Sequence, residues 1–226
     1  MRRVRADLHI HTALSPCAAA EMTPEAIVRT ARERGLDMIA ICDHNSAANT
    51  AAVQAAAEGT PAVLAGMEVT SGEEVHVAGL FPDARAAGDA GREVAAALPA
   101  RAGRGARPLP AAAAGLGLEE VVGLIHRYGG LAVAAHVDRP SFSVFSQLGL
   151  WPEGVPFDAA ELSAAGVAED RAGRFEGLGL PLLAASDSHS LDEIGCVYTE
   201  LDMEAPGFAD LAAALRRPLR RGTVHA

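Results

Sequence analysis

Short apolar runs alternate with helix-patterned segments along this chain, and no other feature of the sequence constrains the fold as tightly. Val4 to Ile10, Met38 to Cys42, Ala62 to Met67 and Val75 to Phe81 each read as a strand. Between the first two, Thr23-Pro24-Glu25 opens a helix, with a threonine suited to the N-cap, a proline to the first helical position and an acid to the positive end of the dipole. Ile27, Thr30, Ala31 and Arg34 mark its turns, and Gly35 is a natural stop. Ala47 to Glu58 has the pattern of a second helix. Further on, Glu119 to Tyr128 reads as a helix ended by Gly129-Gly130, and Leu131 to Ala135 as a buried strand. Asp158 to Leu162 and Leu180 to Ala185 are further strand candidates, and Phe208 to Arg217 is a closing helix. Six or seven strands separated by helices point to a closed or nearly closed βα barrel. A doubly wound open sheet has the same periodicity and stays open as the alternative.

From Asp83 to Leu118 the pattern changes. This stretch is rich in Ala, Gly, Arg and Pro and is loosest at Arg101-Ala102-Gly103-Arg104-Gly105-Ala106-Arg107. Alternation resumes beyond it, so it reads as a low-complexity insert, a loop or lid forming part of a pocket wall, not a linker between domains. Residues 1–226 are therefore expected to form a single domain, which the length allows.

Half of the residues are hydrophobic, enough for a sizeable core, but only 4% are aromatic, so that core is built from Ala, Val, Leu and Ile. The net charge of −10 argues against binding along a nucleic-acid backbone, and strong nucleic-acid binding is not expected. A small phosphorylated substrate stays compatible with that charge, because bound metal ions reverse the local field. All 19 basic side chains are arginine, which removes Schiff-base lysine chemistry and a P-loop lysine. Cys17, Cys42 and Cys196 are an odd, sparse set, unlike a secreted disulfide framework. The N-terminus runs from Met1-Arg2-Arg3-Val4-Arg5 into Asp7, His9 and His11 instead of an apolar leader, and no apolar run is long enough to span a membrane. A soluble cytoplasmic protein with no membrane partner is predicted; oligomeric state leaves no trace in the sequence.

The polar residues that carry chemistry sit inside or just after the strands. Asp7-Leu8-His9-Ile10-His11 closes the first, and residues two apart on a strand share a face, so His9 and His11 can reach one ion. Asp43-His44-Asn45 ends the second strand and Glu68 the third. His76 lies in the fourth, His136 ends the Leu131 strand, and Asp187-Ser188-His189 ends the Leu180 strand. C-terminal strand ends of parallel βα folds converge on one face, so these groups are expected to meet in one cavity. Imidazoles suit Zn, Mn or Fe, and a carboxylate can bridge two ions. One histidine at a strand end is most often structural; six of the eight there, accompanied by acids, are a metal cluster. His126, mid-helix, and His225, at the C-terminus, stand apart, and Glu161 reads equally as a supporting acid or an ordinary loop acid.

These residues resemble the PHP (polymerase and histidinol phosphatase) family. The resemblance rests on Asp-Leu-His-Ile-His-Thr (7–12), Asp-His-Asn (43–45), Gly-Met-Glu (66–68), Ala-His-Val-Asp-Arg (135–139) and Ser-Asp-Ser-His (186–189), in order along most of the chain. It implies a distorted (β/α)7 barrel with the metal site at the C-terminal strand ends and two to three divalent ions. Carried over by motif, His9, His11, Glu68 and Asp187 hold one ion, and Glu68 bridges to a second held with His76 and His136. A third takes His44, His189 and a residue from the following loop, where the sequence departs from the pattern: Pro16 and Cys17 stand where many members have His or Asp. Cys17 as thiolate is the expected ligand there, with Glu21 a weaker candidate.

The activity implied is hydrolysis of a small phosphate monoester, or of a nucleotide or oligonucleotide phosphate, by a metal-activated hydroxide. Arg139 is the guanidinium expected to take the phosphate oxygens, with a structural salt bridge as its alternative. Asp7 and Asp43 are expected to support ligand imidazoles from behind. A metal-dependent amidohydrolase and a non-catalytic metal-binding or interaction module are the alternatives. Such amidohydrolases often carry a carboxylated lysine, which this chain cannot provide.

Overall fold

The computed structural model describes residues 1–99, 112–216 and, as backbone, 224–225. Residues 100–111 of the expected insert, Arg217 and the side chain of His225 lie outside the described residues. In chain order the elements are β1 (Arg2–Ile10), α1 (Pro24–Glu33), β2 (Met38–Ile41), α2 (Thr50–Ala57), β3 (Ala62–Thr70), β4 (His76–Phe81), α3 (Ala84–Ala97), α4 (Leu118–Arg127) and β5 (Leu131–Ala134). They continue with α5 (Val144–Leu148), β6 (Ala159–Leu162), α6 (Ala164–Ala168), β7 (Leu182–Ala184), β8 (Tyr198–Met203), α7 (Phe208–Leu215) and β9 (Val224–His225). The helix signals hold locally: Thr23 caps α1 by accepting from Ala26 N, with Pro24 at the first position.

The strands form one sheet in the order β7-β6-β5-β4-β3-β2-β1-β8-β9. The sheet curls until the segment after β7 meets the end of β1, where Ser188 N donates to His9 O (3.3 Å) and His11 N to Ser188 O (3.0 Å). Along the other half of β1 the antiparallel strand β8 fills the seam. There the Thr199 hydroxyl accepts from Ala184 N (2.7 Å) and donates to Ala184 O (2.9 Å), a side chain taking the place of a strand partner for β7. The result is a nearly closed, distorted barrel of eight strands, β1 to β8, and the open-sheet alternative is excluded.

Periodicity does not disclose strand direction. β4 runs antiparallel to both β3 and β5, so its first residue, His76, lies level with the last residues of these two neighbours. α3 also departs from expectation, since the segment from Asp83 begins as a helix. Asp83 accepts from Ala86 N (2.8 Å), and Ala87, Ala90 and Val94 are buried against the β3 and β4 side chains Met67, Val69 and Val77. Its glycines lower intrinsic helicity; burial of the alanine stripe outweighs that cost.

The barrel is lined by alternate residues: Ala6 and Leu8 of β1, Met38 and Ala40 of β2, Leu64, Ala78, Val133 and Leu183 share one apolar core with Leu211 and Leu215 of α7. Opposite faces of the strands meet the helices, as Ile39 and Ile41 do with Ile27, Val28 and Val53. β1 changes face partway. Asp7 pairs with Ile39 and Ile10 with Ile41, so β1 carries one more residue than β2 over this stretch, a β-bulge. Leu8 and His9, consecutive in sequence, therefore both turn inward, Leu8 to the core and His9 to the group of polar side chains above it. No described helix is long and apolar enough to cross a membrane.

Candidate metal centre

The histidines and acids singled out in the sequence meet at one end of the barrel. The bulge turns in His9 and His11 together. His44 follows β2 in a segment bound to β3, with Glu68 N donating to Asp43 O (3.1 Å) and Asn45 N to Glu68 O (2.7 Å). Gly66 permits that approach, because a β-carbon there would lie 2.8 Å from Ile41 O and 2.9 Å from Cys42 Sγ. Three strand-end residues, Asn45 (φ 51°), His136 (φ 30°) and Asp187 (φ 50°), have left-handed backbone, which turns the chain sharply at each exit. Such conformations are costly for residues with a β-carbon and concentrate at functional sites.

Glu68 is the hub. Its Oε1 lies 2.7 Å from His76 Nδ1, 3.2 Å from His136 Nε2 and 3.4 Å from His9 Nε2. Its Oε2 lies 2.9 Å from His44 Nδ1 and 3.5 Å from His11 Nε2. Asp187 Oδ1 approaches His11 Nε2 (3.1 Å) and His9 Nε2 (3.5 Å) from the other side. Three sets of donor atoms lie within 4.8 Å of one another: His9, His11, Glu68 and Asp187; His44, Glu68 and His76; and His11, His44 and His189. Buried polar atoms nearly always find a partner, yet His9 Nε2, His44 Nδ1, His76 Nδ1 and Glu68 Oε2 make no hydrogen bond. Unsatisfied, converging imidazole and carboxylate lone pairs are what a divalent metal ion would satisfy, so the donor set fits one.

The atoms facing away from the cluster are held. His9 Nδ1 donates to Glu161 (3.0 Å to Oε1), and Glu161 also accepts from His136 N (3.3 Å). Glu161, which the sequence left undecided, is thus the acid that orients His9, and its signal was an acid ending an apolar run in the parity of Ala159. His11 Nδ1 donates to Ser15 Oγ (2.9 Å), which donates to Asp43 Oδ1 (2.7 Å), so Asp43 supports His11 through a hydroxyl. His189 Nδ1 donates to Asp187 O (2.8 Å), leaving its other nitrogen for the cluster.

Other expected residues lie elsewhere. Asp7 touches no imidazole; it accepts from Ser186 N (3.0 Å), Ser186 Oγ (2.6 Å) and Gly195 N (2.9 Å), and so fixes the backbone beside Asp187. Cys17 is exposed and outside the three donor sets, because its turn, closed by Ala18 N donating to Ser15 O, presents it to solvent; Glu21 is exposed too. Arg139 hydrogen-bonds Asp187 Oδ2 while remaining 45% exposed at the rim, and His126 pairs with Asp158 on the outside (2.8 Å).

The electrostatics favour a cation. Burial alone would lower His9, but Glu161, Asp187 and Glu68 around it raise it well above 6.5. Burial brings His11 down to about 4 against the pull of Asp187 and Glu68. Glu68 is held well below the usual carboxylate range despite burial, by His76 and His9 foremost. A proton on His9 therefore occupies the position where a metal ion would balance the same carboxylates.

Comparison with known proteins bears on the family and the fold. Residues 7–149 match the family model described as PHP domain, and residues 170–218 the one described as PHP-associated. No curated protein matches the chain. Among solved structures, the lesion-specific endonuclease PfuEndoQ from Pyrococcus furiosus superposes with a TM-score of 0.76 at 19% identity, covering 95% of this chain and 56% of that one. Endonuclease Q in complex with a 27-mer duplex substrate, an abasic lesion at its active site, gives 0.75 at 18% identity, covering 95% and 57%. An amidohydrolase from Chromobacterium violaceum, with bound sulfate and no metal, gives 0.64 at 21% identity, covering 95% and 98%. The chain thus spans little more than half of the endonuclease Q chains, and at these identities the likeness is one of fold. It nonetheless corrects the expectation, drawn from the net charge of −10, that strong nucleic-acid binding is excluded. Endonuclease Q takes a duplex with the lesion at its active site; a whole-chain charge count omits the field of any bound metal, which acts where a phosphate would sit.

Proposed function

The chain belongs to the PHP domain family, and from that premise we propose that it is a metal-dependent phosphoesterase acting on a phosphate monoester. The observation that carries the reading is Glu68, shared between donor sets whose buried imidazole nitrogens have no other partner. His9, His11, Glu68 and Asp187 would hold one ion; Glu68 and His76, with His136 beside Glu68, would hold a second; His44, His189 and His11 offer a third position, without Cys17. Zn, Mn and Fe all suit these donors. Divalent ions there supply Lewis-acid polarisation of the phosphoryl oxygens and bring the pKa of water towards ~7.

The chain's own groups fix the stage. Glu161 keeps the proton of His9 on Nδ1, so that Nε2 faces the cluster. Asp43, through Ser15, does the same for His11. The barrel core below excludes water from Glu68, which is 1% exposed, and strengthens each of these interactions. Arg139 exchanges its bond to Asp187 for the phosphate oxygens when substrate arrives, and its planar fork suits both partners.

The fold likeness to an amidohydrolase favours a second reading, hydrolysis of a C–N bond at the same donors. Elemental analysis of protein purified without chelator, with 4-nitrophenyl phosphate turnover on the same sample, separates the two. About two to three equivalents of metal with chelator-sensitive phosphate release are expected. Metal-loaded protein that releases no phosphate but hydrolyses an amide would overturn the phosphoesterase reading.

A further inference from the structure

The lip of the site, residues 139–142, is exposed at every position. Among the described residues Phe142 is the exposed aromatic side chain, 41% accessible, and its φ is 57°. A bulky residue is rare in left-handed backbone, where glycine or asparagine would relieve the crowding. The conformation is held on both sides: Phe142 O accepts from His76 N (2.8 Å), while Ser143 caps α5 and donates to Arg139 O (2.8 Å). The Phe142 ring lies nearly parallel to the His76 imidazole, 4.6 Å between centroids and 18° between planes, and His76 reaches Glu68 directly behind it. One ring thickness therefore separates the donor cluster from an accessible apolar ring, with the Arg139 guanidinium at the other end of the same short lip. The ring adds nothing to the three buried cores, which close without it.

Resting on the phosphoesterase reading, we propose that Phe142 stacks a flat, unsaturated ring next to the scissile phosphate, so that the site selects phosphate esters of nucleosides or aromatic alcohols over those of aliphatic alcohols. Every nucleobase and aryl group offers a π-face to an aromatic side chain, and offset stacking needs no further polar contact. Arg139 and the donor cluster would take the phosphate, and Phe142 the group attached to it.

The test uses the metal-loaded full chain as wild type, Phe142→Leu and Phe142→Tyr. Each is assayed on a nucleoside 5′-monophosphate, on 4-nitrophenyl phosphate and on glycerol 2-phosphate, with bound metal measured alongside. Taking the variant-to-wild-type ratio for each substrate cancels differences in intrinsic reactivity. Phe142→Leu is expected to lower kcat/KM about tenfold on the two flat substrates, mainly through KM, and to leave glycerol 2-phosphate within about twofold. Phe142→Tyr, which keeps the ring, should restore wild-type values. An equal loss on all three substrates, or a loss of bound metal, would make Phe142 a support for His76 and overturn the proposal. Wild-type protein that is metal-loaded yet turns over no phosphate ester would instead refute the phosphoesterase reading. Calorimetry with the nucleoside monophosphate and with inorganic phosphate then decides the stacking by itself. A roughly tenfold preference for the nucleotide that Phe142→Leu abolishes sustains it, and equal affinities overturn it.

Discussion

Replacing Glu161 by glutamine isolates how much of the metal affinity comes from behind the donors. The carboxylate is 3.0 Å from His9 Nδ1, and both side chains are buried, so solvent cannot substitute for it. Glutamine keeps the shape and one acceptor but removes the charge that makes Nε2 a better donor. Losses of this kind lower metal affinity by about 10- to 100-fold, or roughly 1.4–2.7 kcal/mol. The deficit depends on pH. Burial works against a proton on His9, but Glu161 is first among the carboxylates that hold it there, so in the wild type an incoming metal must displace that proton. Wild-type affinity therefore climbs with pH until His9 is neutral in the metal-free protein. Glu161→Gln weakens proton competition along with the donor, so the two effects partly cancel at low pH. The gap between the proteins should widen as pH rises. Competition for Zn or Mn against a chromogenic chelator between about pH 6 and 8.5 reads both quantities, with unfolding of the metal-free protein as control for the fold. Affinities within twofold of each other at the upper pH would refute the role given to Glu161.

Glu68→Ala should abolish activity and lower metal content together, because Glu68 belongs to two of the three donor sets; full metal occupancy with full activity would sink the cluster. Thr199→Val leaves the buried Ala184 amide and carbonyl without the hydroxyl that pairs both, and should cost about 2–3 kcal/mol by urea unfolding. A change below about 0.5 kcal/mol would mean that the seam between β7 and β8 closes by other contacts. Burial raises the Asp7 carboxyl from 3.8 to about 6, against its hydrogen bonds from Ser186 and Gly195. A group raised in the folded state stabilises while protonated, and its contribution is lost as pH climbs through the folded value. The stability of metal-free wild type minus that of Asp7→Asn should therefore fall by on the order of 3 kcal/mol between pH values near 4 and 7, and a flat difference would show that Asp7 titrates normally.

Most strands could be read from the sequence because each is a short apolar run ended by a polar pair, and the same pairs announced the cluster. What escaped lies where side-chain type carries no direction. β4 looks like its neighbours in composition, yet it is antiparallel, and this is why His76 works from the start of a strand rather than its end. β8, Tyr-Thr-Glu-Leu-Asp-Met, alternates polar and apolar residues along an edge that β1 alone covers for most of its length, a weak signal beside the apolar runs. α3 was hidden by glycines and alanines that favour neither loop nor helix until the sheet supplies a surface. Of the donors named, His9, His11, His44, Glu68, His76, Asp187 and His189 fall in the three sets, and His136 reaches Glu68 beside them. Cys17 does not, because local turn geometry turns it outward.

The extra residue in β1 has a consequence for length. A strand that alternates strictly offers one inward side chain at each level of its partner, and β1 offers two opposite Ala40, Leu8 for the core and His9 for the cluster. Removing Leu8 would restore strict alternation with β2 and keep His9, Ile10 and His11 on their present faces, but the apolar layer beneath the donors would lose a side chain. Pairing the same residues with β2 one for one would do the reverse: Leu8 would stay, His9 and His11 would turn to the helix layer, and Ile10 would enter the polar site. Deleting Leu8 therefore removes part of the floor and spares the donors, whereas losing the bulge at constant length removes half of the first donor set.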